Sequence, residues 1–190
     1  MKTLKYLPVL LLFIFAFTLN SEAIDKNFTL EDQNGNKISL SDYGDKIVVL
    51  EWTNPDCPFV KRHYNEKTMV QLAEKYKDKD VVWFAVNSTH YMGNEDNKKW
   101  SDKYGVPYPI LNDSSGEVGK SFGAKTTPHM YIIDNTEGLV YEGGIDDDKS
   151  GAINPDKRSN YVDLALTNLS SGDTIEISKS KPYGCSVKYK

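Results

Sequence analysis

Cysteine is almost missing from this chain, with only two in 190 residues, and arginine is equally scarce, at Arg62 and Arg158. Two thiols cannot staple a miniature fold, so the chain has to be held by a buried core, which its length allows. Excess positive charge is absent as well: 27 acidic against 23 basic residues give a formal charge of −4. With no basic face, nucleic acid is excluded as a partner. No metal, flavin or nucleotide motif occurs, so no metal and no cofactor is expected, and there are no internal repeats or low-complexity tracts.

Long apolar runs are absent too, apart from one at the start. Lys2 and Lys5 precede an apolar core from Leu7 to Phe17, and Ser21-Glu22-Ala23 follows as a small-x-small cleavage site. The core is shorter than the roughly 20 residues a membrane span needs. Residues 1–23 therefore read as a signal peptide, the alternative being a signal anchor. Residues 24–190 read as a single domain with a C-terminal extension from about residue 171. The mature chain is expected to be exported, periplasmic or extracellular, with no stable membrane span after cleavage. Disulfides can persist there.

The chain centres on residues 47–64. Ile47-Val48-Val49-Leu50 is a short buried strand, and Glu51-Trp52-Thr53-Asn54-Pro55-Asp56 leads to Cys57-Pro58. Proline suits the first position of a helix, because its fixed φ fits and its missing N–H would go unpaired there anyway. Cys57 then caps the helix, with the N–H groups of Phe59 and Val60 pointing at its sulfur. That setting favours the nucleophilic thiolate. Lys61 and Arg62 push the same way, and Asp56 pushes against it. The bland reading of Cys57 is a small buried hydrophobe.

Around this stretch the pattern is α/β. Phe28 to Leu40 forms an N-terminal hairpin about Asn34-Gly35, a strong turn signal. A helix is expected from Pro58 to about Tyr76, followed by the apolar strand Val81–Val86. Parallel pairing with a right-handed crossover follows. Asn94 to Tyr104 is a helix, Tyr108–Leu111 is extended, and Ser115–Gly123 is a brief helix. His129–Asp134 and Leu139–Glu142 form a hairpin, and a last helix carries Tyr161, Leu164, Ala165 and Leu169 on one face. This order gives an α/β sandwich with a central mixed sheet.

That order, with Cys57 after the first central strand and Thr127-Pro128 before a later one, resembles the thioredoxin-like fold. The hairpin at Asn34–Tyr43 is similar to that of its redoxin branch, the alkyl hydroperoxide reductase and thiol-specific antioxidant proteins. Asn54-Pro55-Asp56-Cys57-Pro58-Phe59-Val60, with Lys181-Pro182-Tyr183-Gly184-Cys185 near the end, looks like a peroxiredoxin-like group of that branch. The resemblance implies a three-layer sandwich with helices on both faces of the sheet. It also implies a cis Thr127–Pro128 bond beside the reactive sulfur, and Thr127 backbone groups offered to a bound substrate chain. Two departures stand out. Val60 occupies the position of a second C-x-x-C cysteine. Asn54 and Leu50 stand where peroxiredoxins carry Thr or Ser and Pro.

The resemblance implies an oxidoreductase in which Cys57 attacks a peroxide or a disulfide substrate and an external dithiol reductant restores it. Cys185 has three readings: a resolving thiol, the partner in a permanent disulfide, or an unpaired thiol on a mobile C-terminus. Trp52, Thr53, Asn54, Pro55, Pro58, Thr127 and Pro128 are expected to shape the site, with Tyr183 a further wall. His63 lies six residues into the helix and, at 3.6 residues per turn, faces away from the sulfur, so a surface or packing role is expected. Asp146-Asp147-Asp148-Lys149-Ser150-Gly151 partly matches a calcium loop. Lys157 stands where the bidentate Glu belongs, so the loop reads as solvated and acidic. The competing function is a non-catalytic binding module held by a structural Cys57–Cys185 disulfide.

Overall fold

The structure, a computed structural model, describes residues 26–190, so the segment read as a signal peptide lies outside the described residues. The strands are β1 (Thr29–Glu31), β2 (Lys37–Ser39), β3 (Ile47–Trp52), β4 (Val81–Asn87), β5 (Ile110–Asn112), β6 (Thr126–Thr127), β7 (His129–Asp134), β8 (Gly138–Gly143) and β9 (Cys185–Ser186). The helices are α1 (Pro58–Asn65), α2 (Thr68–Tyr76), α3 (Asn94–Tyr104), α4 (Glu117–Phe122) and α5 (Tyr161–Ser171). Seven strands form one mixed sheet in the order β2-β1-β5-β4-β3-β7-β8. β3 lies parallel to β4 and antiparallel to β7, which places Trp52 between Val86 and His129.

Alternation along β3 divides the core. Val48, Leu50 and Trp52 pack with Phe84, Phe122 and Tyr131 on one face, while Val49 packs with Val60, Tyr64, Met130 and Ile132 on the other. Cys57 belongs to the second cluster, beneath α1, α2 and α5. A strand buried on both sides explains the near-continuous apolar run.

Three expectations change. The helix expected over 58–76 is two helices, because Lys67 adopts a left-handed conformation (φ 59°) and its N–H bonds back to the Tyr64 carbonyl. The C-terminal segment is held down: Ser178 and Ser180 bond to Glu142, Val187 to Lys125, and Lys188 to His90. It continues to Tyr189, whose hydroxyl donates to the Ala124 carbonyl at 2.9 Å. The Asp146 loop is not a solvated acidic turn either, since Asp146 and Asp148 are both buried.

Candidate active site

Cys57 ends the turn after β3 and caps α1, with Pro58 at the first helical position. Its amide bonds to the Asn54 carbonyl at 3.0 Å, and Asn54 Oδ1 accepts the Asp56 amide at 2.7 Å. Asn54 thus builds the turn that delivers the cysteine. Cys57 is only 2% exposed, and its sulfur donates to the Thr127 carbonyl at 3.0 Å. The Thr127–Pro128 bond is cis. On the other side of Thr127 lies Cys185: β6 and β9 pair antiparallel with Thr127 directly opposite Cys185. The two cysteines are unbonded, and Cys185 packs against the buried cluster that holds Cys57, near enough for each thiol to shift the other's acidity.

Their acidities diverge. Burial opposes ionisation of Cys57, but Thr127, Cys185 and the Val60 N–H outweigh it, so the net shift is below an ordinary thiol. The Thr127 hydroxyl, buried and otherwise unpartnered, is the side-chain donor available to a thiolate. Cys185 moves the other way, to about 11, through burial first and then the hydrogen bond and charge of Cys57. Cys57 therefore ionises first, while Cys185 keeps its proton as a donor to it. Of the two helix amides expected at the sulfur, Val60 contributes. Lys61, Arg62 and Asp56 are not among the largest contributions to the shift. Arg62 turns toward Asp148 and Tyr183, and Asp56 accepts from the Tyr91 hydroxyl at 3.2 Å.

The other expected site residues divide between the wall and its support. Thr53 and Asn54 are buried, Pro55 is half-buried and Pro58 exposed around the turn, and Thr127 and Pro128 are buried beside the sulfur. Trp52 is not a wall of the site. Strand alternation puts it on the opposite sheet face, where its indole donates to Ser88 Oγ at 3.0 Å. Tyr183 lines a groove with Thr126, Lys181 and Gly184 and also anchors the tail, and His63 is fully buried against its hydroxyl at 3.0 Å. Helical rotation predicts that His63 points away from the sulfur, and spacing alone does not show its burial.

Sequence reasoning passed over Glu51. It sits six residues before Cys57 on the Val49 face of the sheet, fully buried. The indole of Trp83 and the hydroxyl of Tyr108 donate to its Oε2 at 3.3 and 3.2 Å. Burial pushes its carboxyl up to about 7, against these hydrogen bonds. A lone acid inside Ile-Val-Val-Leu-Glu-Trp was the signal, because a charge in a doubly covered strand is rarely left without partners.

A capping cysteine beside a cis X-Pro bond on a mixed sheet with helices on both faces defines a thioredoxin-like thiol protein. Residues 21–142 match the AhpC/TSA family model, and the chain belongs to that family. It is similar to an uncharacterized conserved protein of Geobacillus kaustophilus, with 32% identity and a TM-score of 0.77 over 86% of this chain and 89% of that one. It shares its fold with a putative thiol:disulfide interchange protein DsbE from Chlorobium tepidum (23% identity, TM-score 0.54, 61% of this chain and 79% of that one). Thiol-disulfide oxidoreductase ResA of Bacillus thuringiensis is 28% identical over 116 residues, 61% of this chain. That match spans 65% of the ResA chain, less than two thirds of its length. Among the described residues, no helix is long and apolar enough to cross a membrane.

Proposed function

We propose that this chain is an exported thiol-dependent oxidoreductase that cycles between a Cys57/Cys185 dithiol and a Cys57–Cys185 disulfide. The observation that carries this reading is the contact between the two thiols across Thr127, with acidity lowered at Cys57 and raised at Cys185. With a hydroperoxide, the Cys57 thiolate attacks the outer oxygen, the O–O bond breaks, and the departing alkoxide takes up a proton. Cys57 is left as a sulfenic acid. Cys185 then attacks the Cys57 sulfur, forming the disulfide and releasing water. With a disulfide substrate, Cys57 forms a mixed disulfide and expels one thiolate, and Cys185 displaces the other.

An external dithiol returns the pair to the reduced state. A groove of about 380 Å³ lined by Thr126, Lys149, Lys181 and Gly184 lies beside the half-buried Cys185 and offers that reductant an approach. A polypeptide substrate would need the tail to leave Thr127, whose strand is already paired with Cys185, whereas a small oxidant would not. Turnover of hydrogen peroxide and of insulin disulfides, each with an added dithiol, tests the reading. Cys57→Ser is expected to lose activity toward both. Cys185→Ser is expected to stop after one turnover, holding a sulfenic acid or a mixed disulfide on Cys57. Full activity in Cys57→Ser would end the proposal.

A further inference from the structure

Tyr183 lies two residues before Cys185, and its ring packs on the first turns of the helix that Cys57 caps. It meets Phe59 edge-on at 6.0 Å between centroids, and the Arg62 guanidinium lies 5.7 Å from its ring centre. Its hydroxyl enters a buried socket. It donates to Asp146 Oδ1, accepts from Arg62 Nη2 at 3.0 Å, and stands 3.0 Å from His63 Nε2. Arg158 closes the far side, 3.5 Å from Asp146 Oδ2 and 3.1 Å from Asp148 Oδ2. Arg62 Nη2 also donates to the Asp148 carbonyl at 2.7 Å.

The socket spans three separate parts of the chain: α1, the Asp146–Arg158 loop and the tail. Charged groups in such a setting are costly to bury and more costly to leave unpaired, so the hydroxyl has one seat. From that seat the chain has a single residue, Gly184 (φ 137°), before Cys185. Its backbone presses so closely on the Thr127 carbonyl that a Cβ would overlap the oxygen. The seat of Tyr183 on α1 thus fixes where Cys185 meets the sulfur at the start of α1.

We infer that Tyr183, through its hydroxyl in the Arg62–His63–Asp146 socket, is the positioning residue that holds Cys185 against Cys57. The inference rests on the dithiol–disulfide cycle proposed above and assigns the element that makes Cys185 its resolving partner. The chemistry it serves is balanced: the dithiol and oxidised glutathione give the Cys57–Cys185 disulfide and two reduced glutathiones. The socket contributes no atom to that exchange; it sets how often the two sulfurs meet.

The test uses the mature chain with Tyr183→Phe, which keeps the ring on Phe59 and removes the hydroxyl, and with Asp146→Asn, which keeps an acceptor oxygen and removes the charge. Two readouts are needed. The equilibrium constant for closing the disulfide against glutathione is expected to fall about tenfold or more in Tyr183→Phe and less in Asp146→Asn, the scale of a lost buried hydrogen bond. In a Cys57→Ser background, Tyr183→Phe is expected to speed alkylation of Cys185 about tenfold, as expected from the same loss. Val162→Ala, a core truncation on the buried face of α5, separates positioning from general stability, since it should lower Tm and leave the closing equilibrium unmoved. Closing and Cys185 alkylation at wild-type values in both variants would overturn the inference. A wild-type chain that forms no disulfide against glutathione, with Cys185 still unmasked by Tyr183→Phe, would overturn the redox cycle and leave the seating of the tail standing.

Discussion

Thr127 serves both cysteines: its carbonyl accepts the Cys57 thiol at 3.0 Å, and its backbone pairs directly with Cys185. The two sulfurs are delivered from distant places by different means. Cys57 arrives at the end of a buried strand, as the cap of a helix. Cys185 arrives on a tail that crosses the site and pairs with a strand of only two residues. Since β6–β9 is so short, its register depends on what holds the tail on either side.

Gly184 is one such hold. Its φ of 137° lies where side chains are disfavoured, and an added methyl would collide with the Thr127 carbonyl. Gly184→Ala is expected to lift Cys185 from Thr127 while the seven-stranded sheet stays folded. The conformational penalty alone is roughly 1–2 kcal/mol, about tenfold in the docked population, and the collision adds to it. Far-UV circular dichroism should be unchanged while Cys185 alkylates at least tenfold faster. Unchanged alkylation would show that the tail docks without this close approach.

Glu51 gives a pH-dependent stability. Its carboxyl is raised from 4.5 to about 7 in the folded chain. A group raised on folding contributes stability that is fully present below its unfolded pKa and is lost as pH rises through the folded one. Between pH 4.5 and 7 the native state holds a proton that the unfolded chain has released. Glu51 therefore withdraws up to about 3 kcal/mol across this window. Glu51→Gln should remove that slope, so that urea unfolding at pH 8 compared with pH 5 shows a smaller loss than in wild type. An identical slope in the variant would place the loss elsewhere.

Much of the frame could be read from sequence, and the reason is locality. The strand-turn-helix around Cys57 is announced within a dozen residues by an apolar run, a Pro at the first helical position and a helical spacing after it. The hairpin at Asn34-Gly35 is announced by its turn. The socket has no such signature. Arg62, His63, Asp146, Asp148, Arg158 and Tyr183 each look like ordinary surface polar residues, and Arg62 meets Tyr183 across 121 positions. The β6–β9 pairing is hidden for the same reason, because two residues carry no periodicity. Trp52 was misplaced because an apolar run read as uniformly buried does not say which face each residue takes.

The buried histidines set the opposite pH limit. Burial drives His129 down to about 4 from 6.5, and His63 to about 3. Groups depressed on folding contribute stability that is present above the unfolded pKa and lost as pH falls through the folded one. His129 accepts the Lys125 amide at 3.3 Å through Nδ1, a role the side-chain oxygen of Asn can take. His129→Asn is therefore expected to lessen acid destabilisation between pH 6.5 and 4 by about 3 kcal/mol, measured by urea unfolding against pH. With Glu51 and His63, this puts maximum stability near pH 7. A wild-type chain most stable above pH 8 would contradict both assignments.

The coupling between the sulfurs can be read from either side. Burial raises Cys185 first, and the hydrogen bond and charge of Cys57 then carry it to about 11. Cys57→Ala deletes both contributions of the neighbouring sulfur and leaves the burial. The midpoint of Cys185 alkylation against pH should therefore move down, by roughly one unit on the scale of a nearby like charge removed, without reaching that of a fully exposed thiol. The reverse substitution has the opposite sign: Cys185→Ala removes a donor that favours the Cys57 thiolate, so the Cys57 midpoint should rise. Alkylation profiles of the two single variants, followed by mass spectrometry at the intact-protein level, separate these shifts. Midpoints that do not move in either variant would mean that the sulfurs titrate independently, and the assignment of Cys57 as the first nucleophile would lose its support.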